Sequence, residues 1–162
     1  MLRRPIIALA ILVMLPLAAS AGTFNSYGPE IGFSQTPDQL VLGGHLTWNS
    51  VAPHLDFSPG IDLGLGDNLT LVTFNGDFHY RIVTSTSWQP YVGGGMGLHF
   101  VSADNTFGSN NRNSDMHAGG HFIAGATIPT QGRSRFFTEL KLGFGDSPDL
   151  KAIAGWNFRA AK

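Results

Sequence analysis

Five histidines pose the first question. His45, His79, His99, His117 and His121 lie in segments where apolar and polar residues alternate, always on the polar side. Side chains of an extended strand alternate between two faces, so the five imidazoles share one face. Simple hairpin registers put Asp56 across from both His45 and His79, and His99 near His117. A His–Asp–His arrangement is able to hold a metal ion or relay protons. The same groups also make a hydrogen-bond network that stiffens an enclosed space. No metal-ligand spacing motif ties them together, so the sequence favours the network. Neither a metal nor a cofactor is expected.

Two other places offer residues suited to chemistry or contact. A lipid-modifying site in a membrane barrel needs Ser, His and a carboxylate together at the lipid-facing edge. There is no Gly-x-Ser-x-Gly elbow. His54 with nearby Ser50 is the one candidate at a strand end, and a turn explains both. A membrane-embedded lipid-modifying enzyme is therefore only a second alternative, and no catalysis is expected. The stretch from Ala103 to Ser114 is the longest connection, rich in Asn, Ser, Gly and Asp. Its Asp104, Asn105, Phe107 and Arg112 suit polar contacts with a partner.

The elements that would position these residues are strands. From Trp88 to Phe100, the residues Trp88, Pro90, Val92, Gly94, Met96, Leu98 and Phe100 fall on one face. Gln89, Tyr91, Gly93, Gly95, Gly97 and His99 fall on the other. The same alternation predicts strands at Gly28–Gln35, Gln39–Trp48, His54–Gly66, Leu69–Val83, Asp115–Thr127, Arg135–Gly145 and Leu150–Arg159. No helical period interrupts them. Eight strands, joined mostly by short turns, can close into a ring that leaves no edge.

Composition narrows the class. Charged residues make up 13% of the 162, about half the share of a typical soluble domain. A net charge of -1 gives no reason to expect nucleic acid. With no cysteine, disulfides, cysteine metal sites and lipid-anchoring thiols are excluded. Residues 1–21 read as a signal peptide. Arg3 and Arg4 precede the apolar run Ile6–Leu17, and Ala19-Ser20-Ala21 has the form of a cleavage site. Residues 22–162 are then the mature domain.

Which face is inside follows from the polar set. Asp56, Asp62, Asp77, Arg81, Glu139, Lys141, Lys151 and Arg159 all fall within strands, opposite the apolar residues and nearly balanced in sign. Glycines share that face. A narrow lumen needs small residues for room and paired charges for satisfaction. The apolar face carries Trp48, Tyr80, Trp88, Phe100, Phe136, Phe144, Trp156 and Phe158, a composition suited to an interfacial girdle. The competing reading, a soluble periplasmic lipocalin-like barrel binding a small apolar ligand, would turn the apolar residues inward.

Gln89-Pro90-Tyr91-Val92-Gly93-Gly94-Gly95-Met96-Gly97 resembles the Pro-Tyr-x-Gly-x-Gly-x-Gly stretch of small eight-stranded outer-membrane β-barrels of the opacity-protein and OmpA-transmembrane-domain type. Phe136-Phe137-Thr138-Glu139-Leu140-Lys141 is similar to a later strand of that family. The family usually ends on an aromatic residue, whereas Phe158 here is followed by Arg159-Ala160-Ala161-Lys162. The resemblance implies an all-β, eight-stranded, antiparallel up-and-down transmembrane β-barrel in the bacterial outer membrane. It also implies that the 103–114 loop faces outside the cell. The expected protein is monomeric, non-enzymatic and surrounded by outer-membrane lipid. Its lumen is filled by polar side chains, and its role is structural or surface interaction.

Overall fold

The computed structural model describes residues 22–66, 69–103, 114–130 and 132–160. The expected signal peptide (1–21) and the loop residues Asp104, Asn105, Phe107 and Arg112 lie outside the described residues. The chain forms β1 (Thr23–Gln35), β2 (Gln39–Ala52), β3 (Leu55–Gly66), β4 (Leu69–Arg81), β5 (Gln89–Ala103), β6 (Ser114–Pro129), β7 (Ser134–Gly145) and β8 (Leu150–Arg159). Each strand pairs antiparallel with the next, and β8 returns to β1. The result is a closed up-and-down barrel, as the alternation predicts. Its strands run from 10 to 16 residues, against the 9–11 or so that a tilted bilayer crossing takes.

The β1–β2, β3–β4, β5–β6 and β7–β8 connections lie at one end, here the upper rim. The β2–β3, β4–β5 and β6–β7 connections lie at the lower rim. Several strands outrun their expected bounds. β1 starts at Thr23 because Phe24 and Tyr27 continue the pairing, to Trp48 and Leu46, past a bulge between Phe24 and Ser26. β2 continues through the expected turn at Asn49 and reaches Ala52. Left-handed φ at Ser50 (58°) and His54 (62°) accompanies the late reversal. Arg81 N donates to His54 O at 2.8 Å and ties the start of β3 to the end of β4.

The outer surface is apolar. Ile31, Phe33, Leu40, Leu42, Ile61, Leu63, Phe74, Leu140 and Leu142 all face out and are exposed, with Met96 at 70% and Phe122 at 66%. Phe57 shares this face but is covered, because it lies against the small Gly76 and 5.0 Å from the Phe78 ring. All three tryptophans sit toward the lower rim. There Phe24 contacts Trp48 at 5.3 Å, Phe136 contacts Trp156 at 5.3 Å and Tyr27 contacts Phe158 at 6.2 Å. The inner face buries Asp62, Asp77, His99, His121, Glu139, Lys141 and Lys151, with Val41, Leu71, Ile123 and Ile153 as apolar fillers. These faces run opposite to a lipocalin-like barrel, since Ile61 and Phe74 stand outside instead of lining a cavity.

Candidate functional site: a charged lumen

The centre of the lumen is built around Asp77. Its cross-strand partner on β5 is Gly95. A Cβ at Gly95 would collide with Asp77 Oδ1 and His121 Nε2, so the glycine face of β5 makes room for this cluster. Lys141 Nζ donates to Asp77 Oδ2 at 2.5 Å, and His121 Nε2 lies 2.8 Å from Asp77 Oδ1. Lys141 Nζ also stands 3.3 Å from Glu139 Oε1. Tyr91 OH donates to Glu139 Oε2 at 2.9 Å, with the Tyr91 ring packed over Gly125. A second pair lies beside the first. Lys151 Nζ and Asn75 Nδ2 both donate to Asp62 Oδ2 at 2.8 Å. Buried charges hold only when paired and hydrogen-bonded, and closure of the ring brings these partners together across the lumen, β4 with β7 and β3 with β8.

The expected cluster of His45, Asp56, His79, His99 and His117 separates into different environments. His45 sits between Glu30 Oε2 at 2.8 Å and Asn157 Oδ1 at 2.7 Å. In the β2–β3 register it faces Gly60, not Asp56. The cause is the extension of β2 to Ala52, which moves the reversal toward Pro53 and His54. Asp56 does pair with His79 across β3 and β4, but its carboxylate turns to Arg81 Nε at 3.0 Å and Ser50 N at 2.8 Å. His99 and His117 are opposite one another as expected. His99 nevertheless bonds Thr73 Oγ1 at 2.9 Å and Ser147 Oγ at 3.2 Å, while half-exposed His117 lies 3.7 Å from Asp146.

One triad does have ligand geometry. Single donor atoms of Asp77, His79 and Glu139 lie within 4.8 Å of one another. The Lys141 ammonium also stands against both carboxylates. Ser50 and His54 do not form a nucleophile–base pair among the described residues. Ser50 Oγ accepts from Arg81 Nη2 at 3.1 Å, and the His54 ring packs against Tyr80 at 6.2 Å.

Two spaces flank the charged centre. A polar vestibule of about 530 Å³ is lined by residues that run from the lower rim inward to Glu30, His45, His79 and Lys141. A smaller space of about 280 Å³ lies near the upper rim, between Pro37, His99, His117 and Pro148. Asp62, Thr73 and Lys151 border neither space and are buried between them.

Sequence reasoning passed over Glu30, Ser147 and the lower-rim Arg133 and Arg135. Glu30 carried a signal, because it falls in step with Gly28 and Gly32 on the inner face of β1. Ser147 carried none, because strand alternation has no meaning in the β7–β8 turn.

No family model and no curated protein matches the chain. Solved structures do. The chain is similar to the N-terminal β-barrel domain of Pseudomonas aeruginosa OprF, with a TM-score of 0.69 and 13% identity over 86% of this chain and 99% of that one. Neisserial surface protein A is similar with a TM-score of 0.62 and 10% identity, covering 85% and 95% of the two chains. A de novo designed transmembrane β-barrel reaches a TM-score of 0.54 at 20% identity, covering 86% and 96%. The fold is that of the small eight-stranded outer-membrane barrels.

Proposed function

We propose that this chain is a bacterial outer-membrane barrel with a structural or surface-interaction role, exported by cleavage after Ala21 and monomeric in the bilayer. One observation carries the reading: a continuous apolar outer face encloses a set of paired charges. In water, so large an apolar surface would drive association. In lipid it is the favourable side, and the closed ring leaves no backbone group unpaired along an edge. The buried charged centre argues for a lumen that is no wide pore. Ser50 and His54 each have other partners, which supports a non-enzymatic role. Residues 104–113 follow β5, which ends at the upper rim, on the same side as the three short turns. On this reading they are the surface element, with lipopolysaccharide or a surface protein as their partner.

The test is membrane fractionation followed by gel mobility of heated and unheated samples. The reading predicts outer-membrane recovery and a mobility shift on heating. Recovery of a soluble periplasmic protein would overturn it. Deletion of Thr106–Asn113 should leave that mobility shift intact, and failure to fold would make the loop structural.

A further inference from the structure

The lumen charges fall into two groups. Every buried carboxylate near the centre faces a cation or an imidazole: Glu30 with His45, Asp62 with Lys151, and Asp77 and Glu139 with Lys141. At the vestibule mouth the balance changes. Four arginines line it, Arg81, Arg133, Arg135 and Arg159. Among the described residues only Arg81 has a carboxylate partner, Asp56. Among the described residues no ion pair engages the other three. Arg135 Nη1 reaches only the neutral Gln89 Oε1, at 3.4 Å.

These three arginines occupy one stretch of the rim. Arg135 lies in step with the inward residues Phe137, Glu139 and Lys141 of β7, opposite Asn157 of β8. Arg159 lies two residues beyond Asn157, and its backbone N reaches Arg133 O at 3.4 Å. Neighbours at such spacings stand roughly 5–8 Å apart, within reach of side chains as long as arginine. Three adjacent like charges repel one another unless an anion joins them. The guanidinium fork matches phosphate oxygens bidentately.

We propose that the lower mouth of the barrel binds a phosphate-bearing anion, held by Arg133, Arg135 and Arg159. Two sources share this chemistry: a soluble phosphate compound entering the vestibule, or the headgroup of an anionic phospholipid at the rim.

The test is calorimetric titration of pyrophosphate into the refolded full chain in a neutral detergent. A parallel measurement follows the backbone amide resonances of Arg133, Arg135 and Arg159 in phosphatidylcholine bilayers with and without phosphatidylglycerol. Saturable pyrophosphate binding is expected, weakened by roughly tenfold or more in the triple variant Arg133→Gln, Arg135→Gln, Arg159→Gln. Arg135→Lys should lose less than Arg135→Gln, and Asp149→Asn at the upper rim should change nothing. Heat-dependent gel mobility verifies that each variant is folded. Response to pyrophosphate assigns a soluble source. Response to phosphatidylglycerol alone, lost in the triple variant, assigns a lipid headgroup. Equal responses of wild type and folded triple variant, or no response to either probe, would overturn the site. Because binding is read in detergent, its failure leaves the membrane placement untouched.

Discussion

Lys141 and Arg135 lie six residues apart on the inner face of β7, and their surroundings differ completely. Lys141 is 5% exposed and held between Asp77 and Glu139. Arg135 is exposed at the rim and touches one neutral amide. The same strand therefore carries a cation that the fold needs and a cation that the fold leaves spare. What separates them is depth. Desolvation forces the buried ammonium to have partners, whereas water screens the rim guanidinium.

The largest expected effect comes from breaking the deep member. Lys141→Met leaves Asp77 and Glu139 buried without their cation and should cost about 3–5 kcal/mol, read by urea unfolding in phospholipid vesicles. Adding Asp77→Asn to Lys141→Met should recover part of that loss. If the double variant is no more stable than the single, the pair is not coupled as the distances indicate.

Tyr91→Phe removes the hydroxyl that donates to Glu139 and should cost about 1.5–3 kcal/mol, since the acceptor is charged and buried. Gly95→Ala puts a methyl against Asp77 and His121 and should cost about 1–3 kcal/mol by overpacking. The same change at outward-facing Gly94, where a Cβ comes no closer than 3.3 Å to His121 O, should cost less. Arg135→Gln should stay within about 0.5 kcal/mol of wild type, because among the described residues its guanidinium makes no ion pair and one long contact, to a neutral side chain. A large loss there would erase the distinction between the deep and rim charges.

The sequence reveals the fold to the extent that period two governs it. β8 begins and ends where its alternation does, at Leu150 and Arg159. The pairing of Asp56 with His79 also follows from a short connection, and His99 meets His117 because β5 and β6 pair without a register shift on either side of the longest one. Legibility fails where a turn is misplaced. Reading Asn49–Pro53 as the turn puts His45 opposite Asp56, but β2 runs on to Ala52 and His45 meets Gly60. Alternation also says which residues face the lumen without saying which partner each selects. Asp77 meets Lys141 across 64 residues because the ring closes and strands curve toward one axis. No local spacing encodes that approach.

The central claim is that the apolar face meets lipid, and the tryptophans test it directly. Trp88 and Trp156 are exposed and lie toward the lower rim, and Trp48 lies toward the same end of the barrel on β2. The measurement is tryptophan fluorescence of the refolded chain in bilayers whose lipids carry bromine either near the headgroups or near the bilayer centre. The account predicts strong quenching, greatest for bromine near the headgroups. Undiminished fluorescence in both bilayers, with the protein left in the aqueous phase, would contradict it.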